Sequence, residues 1–275
     1  MTWTTVRVRP GAGAPRDAVL AAMFAAGVGG VQEDGDALVT QVDAAFDMET
    51  LKSAVERAAP GTPVDTAPLP DVDWSEAWKR GVTAHTVGAL TVTPPWLADG
   101  RDPATTIVIE PQMAFGTGEH ATTRGVLTLV QAVLRPGDRV ADLGAGSAVL
   151  SIGAVKLGAA RAAAIEMDPD AIANAEANVA ANGVAGRVTV VLGDAAVLLP
   201  LVAPVDLVLA NIISSVITRL LPVIGAALAP EGRAIFSGIM ASEREQMLAV
   251  LRDAGWRVTA ELEEEAWWSV AAARA

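Results

Sequence analysis

Residues 139–170 read RVADLGAGSAVLSIGAVKLGAARAAAIEMDPD. An apolar run, Arg139–Leu143, stops at Gly144-Ala145-Gly146-Ser147. A helical pattern, Ala148–Leu157, follows. A second apolar run, Ala162–Glu166, ends in an acid, and Asp168-Pro169 opens another helix. This is strand, glycine turn, helix, strand. Glycines at such a turn let the backbone approach a ligand, and the helix N-terminus offers free N–H donors. Glu166 lies 22 residues beyond Gly144, where an acid can accept two hydrogen bonds from ribose hydroxyls. The layout is a nucleoside site at the carboxyl ends of parallel strands.

Two letters bear on which nucleoside. A dinucleotide loop carries a third glycine where this chain has Val149, and a carboxylate such as Asp142 is unfavourable beside a pyrophosphate. S-adenosylmethionine has no phosphate and carries a sulfonium and an ammonium, so an acid beside the loop suits it. Asp142 can also pin the loop backbone, and the two roles are compatible. Gly193-Asp194-Ala195 follows the third strand. There Asp194 can accept from an adenine amino group and the Ala195 N–H can donate. Asn211-Ile212-Ile213 ends the fourth strand. The Asn211 carbonyl can accept from an amine and aim its lone pair at a methyl carbon. It can otherwise cap the next helix, a role Ser214 could share.

Working outward, strands are expected at Arg139–Leu143, Ala162–Glu166, Val188–Leu192, Asp206–Ala210 and Gly232–Ser237. Helices are expected at Ala121–Leu134, Ala148–Leu157, Pro169–Asn182, Ser215–Leu228 and Ala241–Ala254. Near-continuous apolar strands such as VDLVLA suit a sheet covered on both faces, hence a doubly wound α/β domain. Trp256–Glu263 and Ala266–Ala273 are consecutive strands, so the last is an antiparallel hairpin partner. Residues 1–67 read β-α-β-β-α-β, a ferredoxin-like α+β arrangement. Its elements are Trp3–Val8, Pro15–Ala26, Val28–Glu33, Ala37–Val42, Met48–Ala58 and Pro63–Ala67. Residues 68–100 read as a linker with a short helix carrying Trp74 and Trp78 on one face, leaving 101–275 as the catalytic domain; Leu90–Thr93 and Thr106–Ile109 look like strands around the Pro94-Pro95 turn.

Composition sets limits. The 275 residues are 52% hydrophobic and 19% charged, which excludes a disordered chain. With no cysteine and two histidines, thiolate chemistry is excluded and no metal site is expected. A net charge of −12 argues against DNA binding and permits a basic partner. No segment reads as a membrane span or a signal peptide, so a cytoplasmic monomer is the expectation.

One further motif, Glu110 to Arg124, holds Gly116 and Gly118 in a loop and Thr122-Thr123 at a helix start. His120 in it reads as a helix-start packing or capping residue before it reads as a base. With MAFGTGEHATTR, DLGAGSAVLSIGAVKLGA, AIEMDPDAIANAEANVAANGV, LANII and the terminal EEEAWWSVAAAR, the chain from about Trp74 onward resembles the PrmA family of ribosomal protein L-11 methyltransferases. The resemblance implies a Rossmann-like methyltransferase domain behind a small substrate-recognition domain. It implies S-adenosylmethionine as cofactor and methyl transfer to the α-amine and lysine ε-amines of ribosomal protein L-11. It places Thr123, Gly144, Glu166 and Asn211 on the family's cofactor contacts. The chain departs from the family at Ala148, where a glycine is usual, at Glu166, where Asp is usual, and at Ile213-Ser214-Ser215. Methylation of another protein or of a small amine is the alternative, and a nucleoside-binding module without catalysis is a third reading. Several methylations by one enzyme need a mobile substrate, which a hinge near Pro68–Asp73 would permit.

Overall fold

The computed structural model describes residues 3–11, 13–69, 78–111, 116 and 118–275. Backbone contacts divide the chain into two units, 1–81 and 82–275.

The first unit runs β1 (Trp3–Val8), α1 (Arg16–Ala25), β2 (Gln32–Asp34), β3 (Ala37–Asp43), α2 (Met48–Ala58) and β4 (Val64–Pro68). The sheet order is β2-β3-β1-β4 with every pairing antiparallel. Alternation explains the fold. Val6 and Val8 of β1 and Leu38 and Val42 of β3 point to one face, where they bury Val19 and Met23 of α1 and Leu51 and Val55 of α2. Asp47 caps α2, accepting from the N–H groups of Glu49 and Thr50. Of the short helix expected over residues 71–82, positions 71–77 lie outside the described residues, as do positions 70–73 of the expected hinge, and Trp78–Gly81 form a 3-10 turn.

In the second unit, β6 (Leu90–Thr93) and β7 (Thr106–Val108) fall on the strands expected on either side of the Pro94-Pro95 turn, and β5 (His85–Val87), which was not expected, completes a three-stranded sheet with them.

Seven further strands form the main sheet: β8 (Arg139–Leu143), β9 (Arg161–Glu166), β10 (Val188–Leu192), β11 (Val205–Asn211), β12 (Leu228–Met240), β13 (Trp256–Glu264) and β14 (Trp267–Arg274). Their order is β10-β9-β8-β11-β12-β14-β13. It is parallel from β10 to β12, with β14 antiparallel to both neighbours. Six helices alternate with them: α3 (Ala121–Val133), α4 (Val149–Lys156), α5 (Pro169–Ala181), α6 (Ala195–Val202), α7 (Ser214–Ala227) and α8 (Arg244–Asp253). Both faces are covered. Leu207 and Leu209 of β11 join the core under α3 to α5, whereas Val208 and Ala210 join the core under α7 and α8. The expected strands and hairpin are present. Helix α6 was not expected: AAVLLPLV shows no clear helical period and contains Pro200. No helix among the described residues is long and apolar enough to cross a membrane.

Strand order reverses between β8 and β11. At such a switch point the connecting helices diverge to opposite faces and leave a crevice beyond the strand ends. Asp142 and Asn211 lie at its two sides.

Candidate functional site

The glycine turn follows β8. Gly144 and Gly146 have φ of 70° and 51°, and a Cβ on Gly144 would meet Ile212 Cγ2 at 2.6 Å. The neighbouring chains therefore approach as closely as a missing side chain allows. Ala148, which replaces the family's usual glycine, keeps the left-handed φ of 63° and carries the strain of about 1 kcal/mol that an L-residue meets there.

Asp142 is fully buried. Its Oδ2 accepts from the N–H (3.1 Å) and hydroxyl (2.8 Å) of Ser151 in α4. Its Oδ1 has no partner. Burial pushes its pKa up to about 7 against the two Ser151 bonds, with a further push from the Glu166 charge. Thr123, also fully buried, stands in the first turn of α3, and its Oγ1 has no partner either. Among the described residues three buried side-chain polar atoms lack partners: these two and Arg233 Nε. An orphaned buried acceptor costs about 1–3 kcal/mol, so folded chains seldom keep one without a use. The pinning role of Asp142 is present on one oxygen, and the other oxygen is spare.

Glu166 behaves differently from the expectation of two free ribose acceptors. Its Oε2 accepts from Gly146 N–H (2.8 Å), and its Oε1 accepts from the N–H groups of Met167 (2.8 Å) and Asp168 (2.9 Å). A carboxylate offers about four acceptor positions. Three are taken, so one ribose hydroxyl can be served without rearrangement. The extra methylene relative to Asp lets this side chain reach back to the glycine turn.

Asp194 caps α6, its Oδ1 accepting from Ala196 N–H at 2.8 Å. The carboxylate is exposed, and Oδ2 is left for a ligand. Ala195 begins the helix, so its N–H has no intrahelical acceptor. Asn211 is half-buried, and its side chain makes no hydrogen bond with the described residues. The N-cap of α7 is Ile213, which removes the capping alternative for Asn211. Ser214 instead donates to Glu243 Oε1 at 2.6 Å.

His120 caps α3. Its Nδ1 accepts from Thr122 N–H (3.3 Å) and lies 2.8 Å from Thr122 Oγ1, while its ring meets Trp267 edge-on at 5.0 Å. Arg124 pairs with Glu264 (2.7 Å) and Glu265 (3.1 Å) and donates to the Glu119 carbonyl. The terminal EEEAWW motif thus grips the start of the helix that carries Thr123. Sequence reading singled out that motif without giving it a task. Residues 112–115 and 117 of the preceding loop lie outside the described residues.

Sequence reasoning missed the asparagines of α5. Asn182 brackets Val108 through both amide atoms (2.9 and 2.6 Å). Asn178 Oδ1 accepts from Glu110 N–H (2.9 Å), and Asn174 Nδ2 donates to the Glu110 carbonyl (3.3 Å). Their spacing of four was the available signal.

The donor set fits S-adenosylmethionine: a buried acid with a spare oxygen suits an ammonium, and no basic side chain is among the site residues to meet a phosphate. The chain matches the family described as ribosomal protein L11 methyltransferase (PrmA) over residues 29–275. The ribosomal protein L11 methyltransferase of Pelotomaculum thermopropionicum is 40% identical over 231 residues, covering 82% of this chain and 74% of the relative. That of Thermus thermophilus is 40% identical over 198 residues, covering 72% and 76%. A solved ribosomal protein L11 methylase from Lactobacillus delbrueckii subsp. bulgaricus aligns with a TM-score of 0.60 at 28% identity, over 70% of this chain and 99% of that one.

Proposed function

Because this chain belongs to the ribosomal protein L11 methyltransferase family, we propose that it methylates α-amino and lysine ε-amino groups of ribosomal protein L11 with S-adenosylmethionine as methyl donor. The observation that carries the reading is the buried, unpartnered Asp142 Oδ1 on β8 beside the strand switch point, with a second unpartnered oxygen, Thr123 Oγ1, in the first turn of α3. When bound, S-adenosylmethionine supplies an electrophilic methyl group on a sulfonium.

In this reading Asp142 holds the ammonium. The backbones of Gly144 and Gly146 form the floor, and Glu166 takes one ribose hydroxyl. Asp194 and the Ala195 N–H read the adenine edge. Thr123 donates or accepts from the entry to α3. Asn211 touches the reacting amine: its amide oxygen accepts an amine N–H and so turns the nitrogen lone pair toward the methyl. A free lysine has a pKa of about 10.4, and its ammonium has no lone pair to offer. A cationic neighbour in a site away from water favours the neutral amine, which leaves alignment as the chain's main task. His120 Nδ1 is occupied by Thr122 and is not needed as a base. The small first unit is the recognition element for the basic substrate, consistent with the chain's net charge of −12.

The test is mass spectrometry of recombinant L11 after incubation with the protein and methyl-labelled cofactor. Mass gains in steps of one methyl on the N-terminus and on lysines are expected. Label confined to other ribosomal proteins, or none at all, refutes the assignment.

A further inference from the structure

Helix α5 and its C-cap residue present asparagines at i, i+4 and i+8: Asn174, Asn178 and Asn182. Four helical residues advance about 6.0 Å and two extended residues about 6.6 Å. Amide side chains at this spacing therefore fall into step with alternate residues of a strand. They meet Val108 and Glu110 in reverse order, as an antiparallel neighbour would. The helix face thus supplies the hydrogen bonds a sheet partner would give to the segment leading out of β7.

One member does more. Asn178 is almost fully buried. Besides accepting from Glu110, it donates through Nδ2 to the Ser147 carbonyl of the glycine turn (3.1 Å) and to Asn174 Oδ1 (3.3 Å). Ser147 Oγ in turn donates to the Gly116 carbonyl (2.9 Å), and a Cβ on Gly116 would stand 2.6 Å from that hydroxyl. The buried amide therefore ties the turn to Glu110, and the hydroxyl of the same Ser147 ties it to Gly116. We propose that Asn178 is a positioning residue for the cofactor pocket. By fixing the Ser147 carbonyl, it sets the direction of the turn's N–H groups and the distance from the turn to the start of α3. The proposal rests on the cofactor assignment above.

Asn182 provides the internal comparison. It belongs to the same ladder, but its side-chain hydrogen bonds among the described residues go to Val108 and the Asn178 carbonyl and not to the turn. The experiment is calorimetric titration of the full chain with S-adenosylhomocysteine, beside thermal melts, for wild type, Asn178→Ala, Asn178→Asp and Asn182→Ala. Asn178→Asp is isosteric and keeps the acceptor for Glu110, but faces the Ser147 carbonyl with an oxygen; it carries the test if Asn178→Ala does not fold. Both Asn178 variants should bind about tenfold more weakly, whereas Asn182→Ala should melt earlier yet bind within about threefold of wild type. Unchanged affinity in Asn178→Asp, or an equal loss in Asn182→Ala, overturns the positioning role and leaves the cofactor assignment standing. Absence of binding by the wild type overturns both.

Discussion

The proposed pairing of Asp142 with the ligand ammonium predicts a pH signature for cofactor binding. In the ligand-free chain its carboxyl titrates at about 7, because burial disfavours the charge more than the Ser151 bonds restore it. A ligand ammonium needs the ionised form. Below pH 7 binding must first expel a proton, so affinity should fall about tenfold from pH 8 to pH 6 and about a hundredfold by pH 5. Titration of S-adenosylhomocysteine in buffers of different ionisation enthalpy should show release of nearly one proton per site at pH 6 and almost none at pH 8. Asp142→Asn keeps the shape and an acceptor for Ser151 while removing the charge. It should weaken binding at pH 8 by about 10- to 100-fold, the worth of a charge-assisted hydrogen bond, and flatten the pH dependence.

Without ligand the sign reverses. The folded pKa of Asp142 lies above its unfolded value of 3.8. Its contribution to stability is therefore complete below about pH 4 and lost as the pH climbs through about 7. Asp142→Asn should accordingly melt higher than wild type at pH 8, by a gain bounded near 4 kcal/mol from the size of the shift. An affinity for S-adenosylhomocysteine that is flat from pH 8 to pH 5.5 in the wild type would refute the reasoning.

Thr123→Val removes an unpartnered buried hydroxyl at constant shape. The ligand-free melting temperature should stay level or rise, while S-adenosylhomocysteine affinity drops about 3- to 10-fold by calorimetry. Asn211→Ala should lower kcat by about 10- to 100-fold in a methyl-transfer assay while changing S-adenosylhomocysteine affinity less than threefold, since its loss is one of alignment. Gly238 has φ of 79°, and a Cβ there would sit 2.6 Å from the Ile212 carbonyl oxygen. Gly238→Ala should cost about 3 kcal/mol from strain and overpacking, seen as a fall of about 6–12 °C in calorimetric melting, and should depress activity through the displaced neighbour of Asn211.

What the sequence made legible was local. The glycine turn, the acids at strand ends and the Asn-Ile step all sit within a few residues of the elements that hold them. The terminal hairpin followed from two strand patterns in direct succession. What escaped reading depended on partners far away in the chain. Helix α6 is dictated by the Asp194 cap and by packing of Leu199, against a sequence with little amphipathic contrast. Two free acceptors on Glu166 looked available because its reach back to Gly146 is visible only in three dimensions. The asparagine ladder likewise needed the extended segment at 108–110 to give its spacing a meaning.

Strand β14 follows β13 in the chain yet lies between β12 and β13 in the sheet. During synthesis the earlier strands emerge first and cannot close without it. Until β14 leaves the exit tunnel, Trp267 cannot meet His120, and β12 keeps an open flank. The helix bearing Thr123 thus gains its contacts with Glu264 and Trp267 last, when the terminal hairpin closes over it.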